Sequence, residues 1–189
     1  MEDKTTILTA RNTADQKLLT RVMAHDRDAF RDLYLAYHRR LSRFLLRLTR
    51  KHELIEEVIN DTLWVVWKQA ASFRNESQVS TWIMGIAYRR TLKALRKQYP
   101  VSEYNSVEVE DSMLIAPDIH IDEENIQWIM LGLDQLPLEQ RLVLELAYDM
   151  GHSCEEIAEI MECPVNTVKT RLFHARRKLR DILPQLAGE

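Results

Sequence analysis

Glycine and proline are scarce, at 4 and 5 of 189 residues, and a chain so poor in turn formers cannot reverse direction as often as a many-stranded β fold requires. With helix-favouring residues throughout, that scarcity predicts an all-α protein. Cysteine is scarcer: Cys154 and Cys163 are the only two, too few for a disulfide framework, and in a reducing compartment they read as small apolar residues. Set beside His152 and His174 they match no usual ligand spacing, so no metal and no other cofactor is expected. No apolar run approaches the ~20 residues of a membrane span, and the opening MEDKTTILTARNTADQK lacks the apolar core of a signal peptide. A cytoplasmic location without direct membrane insertion is the expectation. A phosphate loop and a nucleophile motif are also missing. Acid/base chemistry by His25, His38 or His152 beside carboxylates has nothing to support it, and no catalytic residue is expected.

What is present is a chain with 46% hydrophobic residues, enough over this length to bury a core as one large domain or two small ones. The formal charge of −3 conceals an asymmetry. Residues 1–98 hold 19 Lys and Arg against 11 Asp and Glu, residues 99–150 hold 1 against 12, and residues 151–189 hold 6 against 6. A basic half, an acidic stretch and a mixed end matter more than the total, because the local field steers a polyanion.

The most informative stretch is 151–180, GHSCEEIAEIMECPVNTVKTRLFHARRKLR. Ser153 and Glu156 form a capping-box signature, and Ile157, Ala158, Ile160 and Met161 follow at helical spacing. Cys163-Pro164 interrupts, since proline disfavours helix in the residue before it and suits the first turn of the next. In the second helix Val165, Val168, Leu172, Ala175 and Leu179 share one side. Asn166, Thr170, Phe173 and Arg177 occupy the other, flanked by Thr167, Lys169 and His174. Two short helices across a tight turn, the second polar and cationic outside, describe a helix-turn-helix that fits a major groove. On spacing alone, a helical hairpin with a solvated basic face is the alternative.

Upstream, residues 1–16 read as frayed or weakly helical, with a first amphipathic helix from Gln16 to Ala24. A charged break at His25–Asp28 precedes a long helix whose buried stripe runs through Phe30, Leu33, Tyr37, Leu41, Phe44 and Leu48, with Arg39, Arg40, Arg43, Arg47 and Arg50 outside it. Ile55 to Ala71 forms another helix, where Trp67 reads as core while Asn60, Asp61 and Trp64 make a patch suited to a protein contact. After a polar loop, 73–80, a helix opens at Thr81 and ends basic. Arg89, Lys93, Arg96 and Lys97, beside a loop and Trp82, can hold a nucleic-acid backbone and receive unstacked bases, or can be a solvated helix end. Residues 98–121 lose periodicity and gain Pro100, Pro117 and acids, which marks a linker. Helices over 122–134 and 137–150 then support the hairpin.

The run Leu136-Pro137 with Gln140-Arg141, then Glu156-Ile157-Ala158, then Thr167-Val168-Lys169-Thr170-Arg171-Leu172 with Ala175-Arg176 resembles the promoter-binding domain of bacterial sigma factors, in the extracytoplasmic-function (ECF) group of the sigma-70 family. Phe73, Ser80, Trp82 and Ile86-Ala87 are similar to the same family's −10-binding region, and Glu56 to Asp61 to its polymerase-docking segment. The resemblance implies two small helical domains joined by a flexible acidic linker: sigma region 2 at 1–97, linker 98–121, and region 4 at 122–189. It implies an alternative sigma factor that brings core RNA polymerase to promoter DNA. Asn166, Thr167, Lys169, Thr170, Arg171, Phe173, His174 and Arg177 would face the −35 element. Asn75, Ser80, Trp82, Arg89, Lys93, Arg96 and Lys97 would face the −10 element. Glu57, Asn60, Asp61 and Trp64 would dock on the β′ clamp, with further contact to the β subunit. An anti-sigma partner is implied as well. The chain departs from the family pattern at Asn60, where glutamine is usual, and at Arg89 and Lys93, where Asn and Asp are usual. The runner-up is a free-standing two-domain regulator. The acidic linker is expected to compete with DNA for the basic surfaces of the free chain.

Overall fold

A computed structural model describes residues 4–98, 129 and 131–186. Helix α1, Lys4–Met23, begins well ahead of the expected Gln16. The reason is tertiary: the buried Asp15 carboxylate accepts from the Tyr37 hydroxyl at 2.7 Å and from Arg40 at 3.1 Å. Hydrophobic periodicity does not register a helix anchored by a buried polar group. Burial, reinforced by the adjoining Asp15 carboxylate, drives the Tyr37 hydroxyl well above its ordinary pKa, so it stays a donor.

Asp26 sits in the expected break as the N-cap of α2, Arg27–Leu45, accepting from the N–H groups of Asp28 and Ala29. Those bonds, the one to Ala29 first, and Arg21 hold its carboxyl below the usual range. The predicted stripe is buried at Leu33, Tyr37, Leu41 and Phe44, and Phe30 and Leu48 are half-buried at its edge. Helix α3, His52–Gln69, ends in a 3₁₀ turn, Ala70–Ser72. Helix α4, Val79–Gln98, starts two residues before Thr81 because Val79 is fully buried and anchors the first turn. The linker and most of the helix expected at 122–134 lie outside the described residues.

In the C-terminal half, α5 (Leu138–Leu144) passes into a π-helical turn at Glu145–Asp149, where a single α-helix through Met150 is the sequence expectation. The wider turn carries Glu145 to within 3.2 Å of Arg47 and Asp149 to within 3.0 Å of Arg43, both on α2. An inserted residue of this kind re-aims side chains without ending the helix. Helices α6 (Cys154–Met161) and α7 (Val165–Leu186) complete the fold. Gly132 lets its segment approach α7 closely, since a Cβ there would meet Leu183 at 3.0 Å. The two halves share one continuous apolar core, and α6 packs directly on α4.

Candidate nucleic-acid interface

The hairpin is built as its sequence directs. Ser153 Oγ accepts from the Glu156 N–H at 3.2 Å while Glu156 accepts from the Ser153 N–H at 2.8 Å, closing the capping box. Ile157, Ala158, Ile160 and Met161 are buried. At the end of α6, Glu162 takes the left-handed conformation with φ 50°, and α7 starts after Pro164. Val168, Leu172 and Ala175 seat α7 on the core.

The outer face of α7 presents Asn166, Lys169, Thr170, His174 and Arg177, with Phe173 61% exposed. Thr167 is half-buried at the margin. Thr170 donates to the Asn166 carbonyl at 2.8 Å, leaving its oxygen free to accept. Arg171 does not belong to that face. It is half-buried, ion-paired with Glu139 and 3.6 Å from the Cys163 sulfur, so it ties α7 to α5. Lys178 likewise donates to the Gln135 carbonyl at 2.8 Å. Arg176 lies over the Tyr148 ring at 5.7 Å.

The second surface lies on the N-terminal half. Asn75 adopts φ 58° in the loop before α4, and its side-chain oxygen accepts from Gln16 at 2.9 Å. Asparagine tolerates this geometry better than most residues. Trp82 packs on Phe73 with ring centroids 5.3 Å apart, a half-buried aromatic pair beside half-buried Ser80. Lys93, Arg96 and Lys97 are exposed along α4. Arg89, although exposed, pairs with Glu162 of the other half at 3.4 Å. Gln16, which holds the Asn75 side chain, is a neighbour that periodicity could not select.

The third patch collects Glu57, Asn60, Asp61 and Trp64 on one exposed side of α3. Asn60 accepts from the Tyr34 hydroxyl at 3.0 Å, and Trp64 is 53% exposed beneath Lys68. Asp61 is bonded within the chain, to Arg90 at 2.6 Å, so it braces α3 against α4. Trp67 turns inward onto Phe30, centroids 4.9 Å apart. Among the described residues no group of three His, Cys, Asp or Glu side chains is arranged to hold a metal, and no helix is long and apolar enough to cross a membrane.

One further residue of the resemblance has a structural task. Arg141 is nearly buried, pairs with Asp134 at 2.8 Å and donates to the carbonyls of Asp134 and Leu136. Burial pushes its pKa below the ordinary guanidinium value, and Asp134 beside it favours the cation. It caps the segment that leads into α5.

Comparisons with known proteins cover both halves. Residues 33–100 match the family described as Sigma-70 region 2, and residues 126–179 the one described as Sigma-70, region 4. The chain is 28% identical over 176 residues to the ECF RNA polymerase sigma-E factor of Escherichia coli (strain K12), covering 87% of this chain and 92% of that protein. It is 25% identical over 169 residues to the ECF RNA polymerase sigma factor SigX of Bacillus subtilis (strain 168), covering 86% and 87%. Among solved structures, the sigma factor RpoE in complex with the anti-sigma factor NepR, from Bartonella quintana, aligns with a TM-score of 0.64 at 28% identity, over 82% of this chain and 96% of that one. CnrH in complex with the cytosolic domain of CnrY aligns at 0.62 with 18% identity, over 91% and 98%, a likeness of fold.

Proposed function

Because this chain belongs to the sigma-70 family, in its ECF group, and is an alternative sigma factor that directs transcription initiation, we propose a division of labour among its three surfaces. The outer face of α7 reads the −35 element. The 73–80 loop and α4 hold the −10 element, with Trp82 and Phe73 receiving unstacked bases and Lys93, Arg96 and Lys97 the backbone. The Asn60 and Trp64 side of α3 docks on core RNA polymerase at the β′ clamp, while the C-terminal half meets the β subunit. We assign region 2 to 1–97, the linker to 98–121 and region 4 to 122–189. Arg171 acts from behind, by holding α7 in place.

The observation that carries this reading is the pairing of the two family matches with two separate cationic surfaces, one on each half. The polymerase performs the chemistry; this chain contributes promoter choice in the cytoplasm, without a catalytic step of its own. An anti-sigma protein is a proposed partner, on the model of the RpoE complex with the anti-sigma factor NepR.

The test is reconstitution with core RNA polymerase. Holoenzyme formation should survive Lys93→Glu, which should impair promoter opening, and should weaken with Trp64→Ala, which removes a large exposed ring from the docking face. Asp61 is the poorer probe, since its loss also frees Arg90. Equal loss of polymerase affinity in the Lys93 and Trp64 variants, both checked by circular dichroism, would overturn the assignment.

A further inference from the structure

The mixed charge of the C-terminal end separates along the chain. Residues 155–162 carry four glutamates and no base, whereas residues 169–180 carry six bases and no acid. Helix α6 is thus an acidic rod directly ahead of the basic α7. The rod lies on α4, and its acids meet the loop and helix assigned to the −10 element. Glu159 accepts from Ser77 at 3.0 Å, Glu156 from Thr81 at 3.0 Å, and Glu162 pairs with Arg89 at 3.4 Å. His152 stands 3.3 Å from the same Thr81 hydroxyl. Behind them, Asp149 and Glu145 pair with Arg43 and Arg47. Every one of these carboxylates comes from the C-terminal half, and every hydroxyl or guanidinium partner from the N-terminal half.

We infer that the acidic face of α6 is an internal occupant of the −10 surface, taking in the free chain the hydroxyl and guanidinium groups that a nucleic-acid backbone would otherwise use. A row of carboxylates at helical spacing presents anionic acceptors to Ser77, Thr81 and Arg89, the donor types that also recognise phosphate oxygens. The two occupants cannot share those donors. Closure is therefore in competition with single-stranded DNA, and intramolecular attachment favours the tethered occupant. Glu162 supports the assignment through its backbone. A left-handed φ of 50° is a position for glycine or asparagine, yet a glutamate holds it and reaches across to Arg89. The turn of the hairpin alone has no use for that side chain.

The inference rests on the proposed −10 role of α4, and the experiment separates the two. The full-length chain and the double variant Glu159→Ala/Glu162→Gly are compared by small-angle X-ray scattering and by binding of a fluorescein-labelled, random-sequence single strand of about ten nucleotides, a length suited to one such groove. Glycine suits the turn, so the hairpin stays folded. Glu53→Gln/Asp32→Asn removes equal charge from exposed sites away from the seam and controls for net charge. The expected result is a compact wild type and an expanded seam variant that binds the strand about tenfold more tightly, as a nine-tenths closed population requires, with the control unchanged. An already expanded wild type, or an expanded variant with no gain beyond the control, overturns the inference. Holoenzyme assembly is measured in parallel. Its failure in the wild type would instead remove the functional reading, leaving the scattering result to stand on its own.

Discussion

Adjacent side chains on α7, about 100° apart around the helix, have opposite uses. Thr170 points outward and keeps an acceptor free, while Arg171 turns back onto Glu139 and Cys163. Thr170→Ala should therefore relax promoter selection at one position at a cost of about 1–3 kcal/mol, whereas Arg177→Ala should weaken binding evenly across sequences and flatten its salt dependence. Selection from a randomised −35 pool checks both, and a larger change of sequence preference from Arg177→Ala would refute this placement of the helix. The pattern of exposure was readable in Val168, Leu172 and Ala175, whose spacing determines what lies opposite. The diversion of Arg171 was not, because its partner lies on another helix and spacing within α7 carries no information about it.

Among the elements, α6 is the one whose start is best defined. Its capping box satisfies two backbone donors with two side chains, and it begins an element of only eight residues, too short to be stable unaided. Ser153→Ala should lower the unfolding free energy by about 1 kcal/mol, seen as a reduced urea midpoint with an unchanged slope. No change in midpoint would mean that the tertiary contacts of α6 hold it without the cap. Glu156 has a second task in the same box. Although desolvation pushes its carboxyl up, hydrogen bonding to His152, the Ser153 N–H and Thr81 brings it below its ordinary value. It thus stays charged through the neutral range and remains an acceptor for Thr81.

For the molecule as a whole, pH should shift the balance of closure through Glu145. Its side chain is 8% exposed, and burial pushes the carboxyl from 4.5 up to about 7 despite Arg47 and Arg43 on α2; Asp149 on its own turn adds to the rise. Arg141 on α5 is the remaining charge that faces it. In the open chain a solvated Glu145 keeps the ordinary value, so the closed form binds the proton more tightly. Its contribution to closure is complete below about 4.5, fades by about 1.4 kcal/mol per unit as pH rises, and is lost above about 7. Glu156, whose value is lowered, acts in the opposite sense only in acid below its ordinary 4.5. Scattering should accordingly find the chain more compact at mildly acidic than at alkaline pH, and Glu145→Gln should abolish the difference. A chain more compact at alkaline pH would have the sign wrong.

Sequence alone determined the all-α class, the buried stripe of α2, the capping box and the hairpin, because each depends on residues a few positions apart whose periodicity or capping chemistry is local. It also sufficed for the outward face of α7, the complement of a local stripe. Only the tertiary structure decided that α1 reaches back to Lys4, that the turn at Glu145 widens, that Asp61 belongs to Arg90, and that α6 of the C-terminal half lies on α4. In each case the deciding partner is remote in sequence: Tyr37 for Asp15, Arg47 for Glu145, Arg90 for Asp61, Ser77 and Arg89 for the acids of α6. A buried polar bond or an ion pair between distant residues leaves no periodic trace in either segment, so it becomes visible only when the chain has brought both ends together.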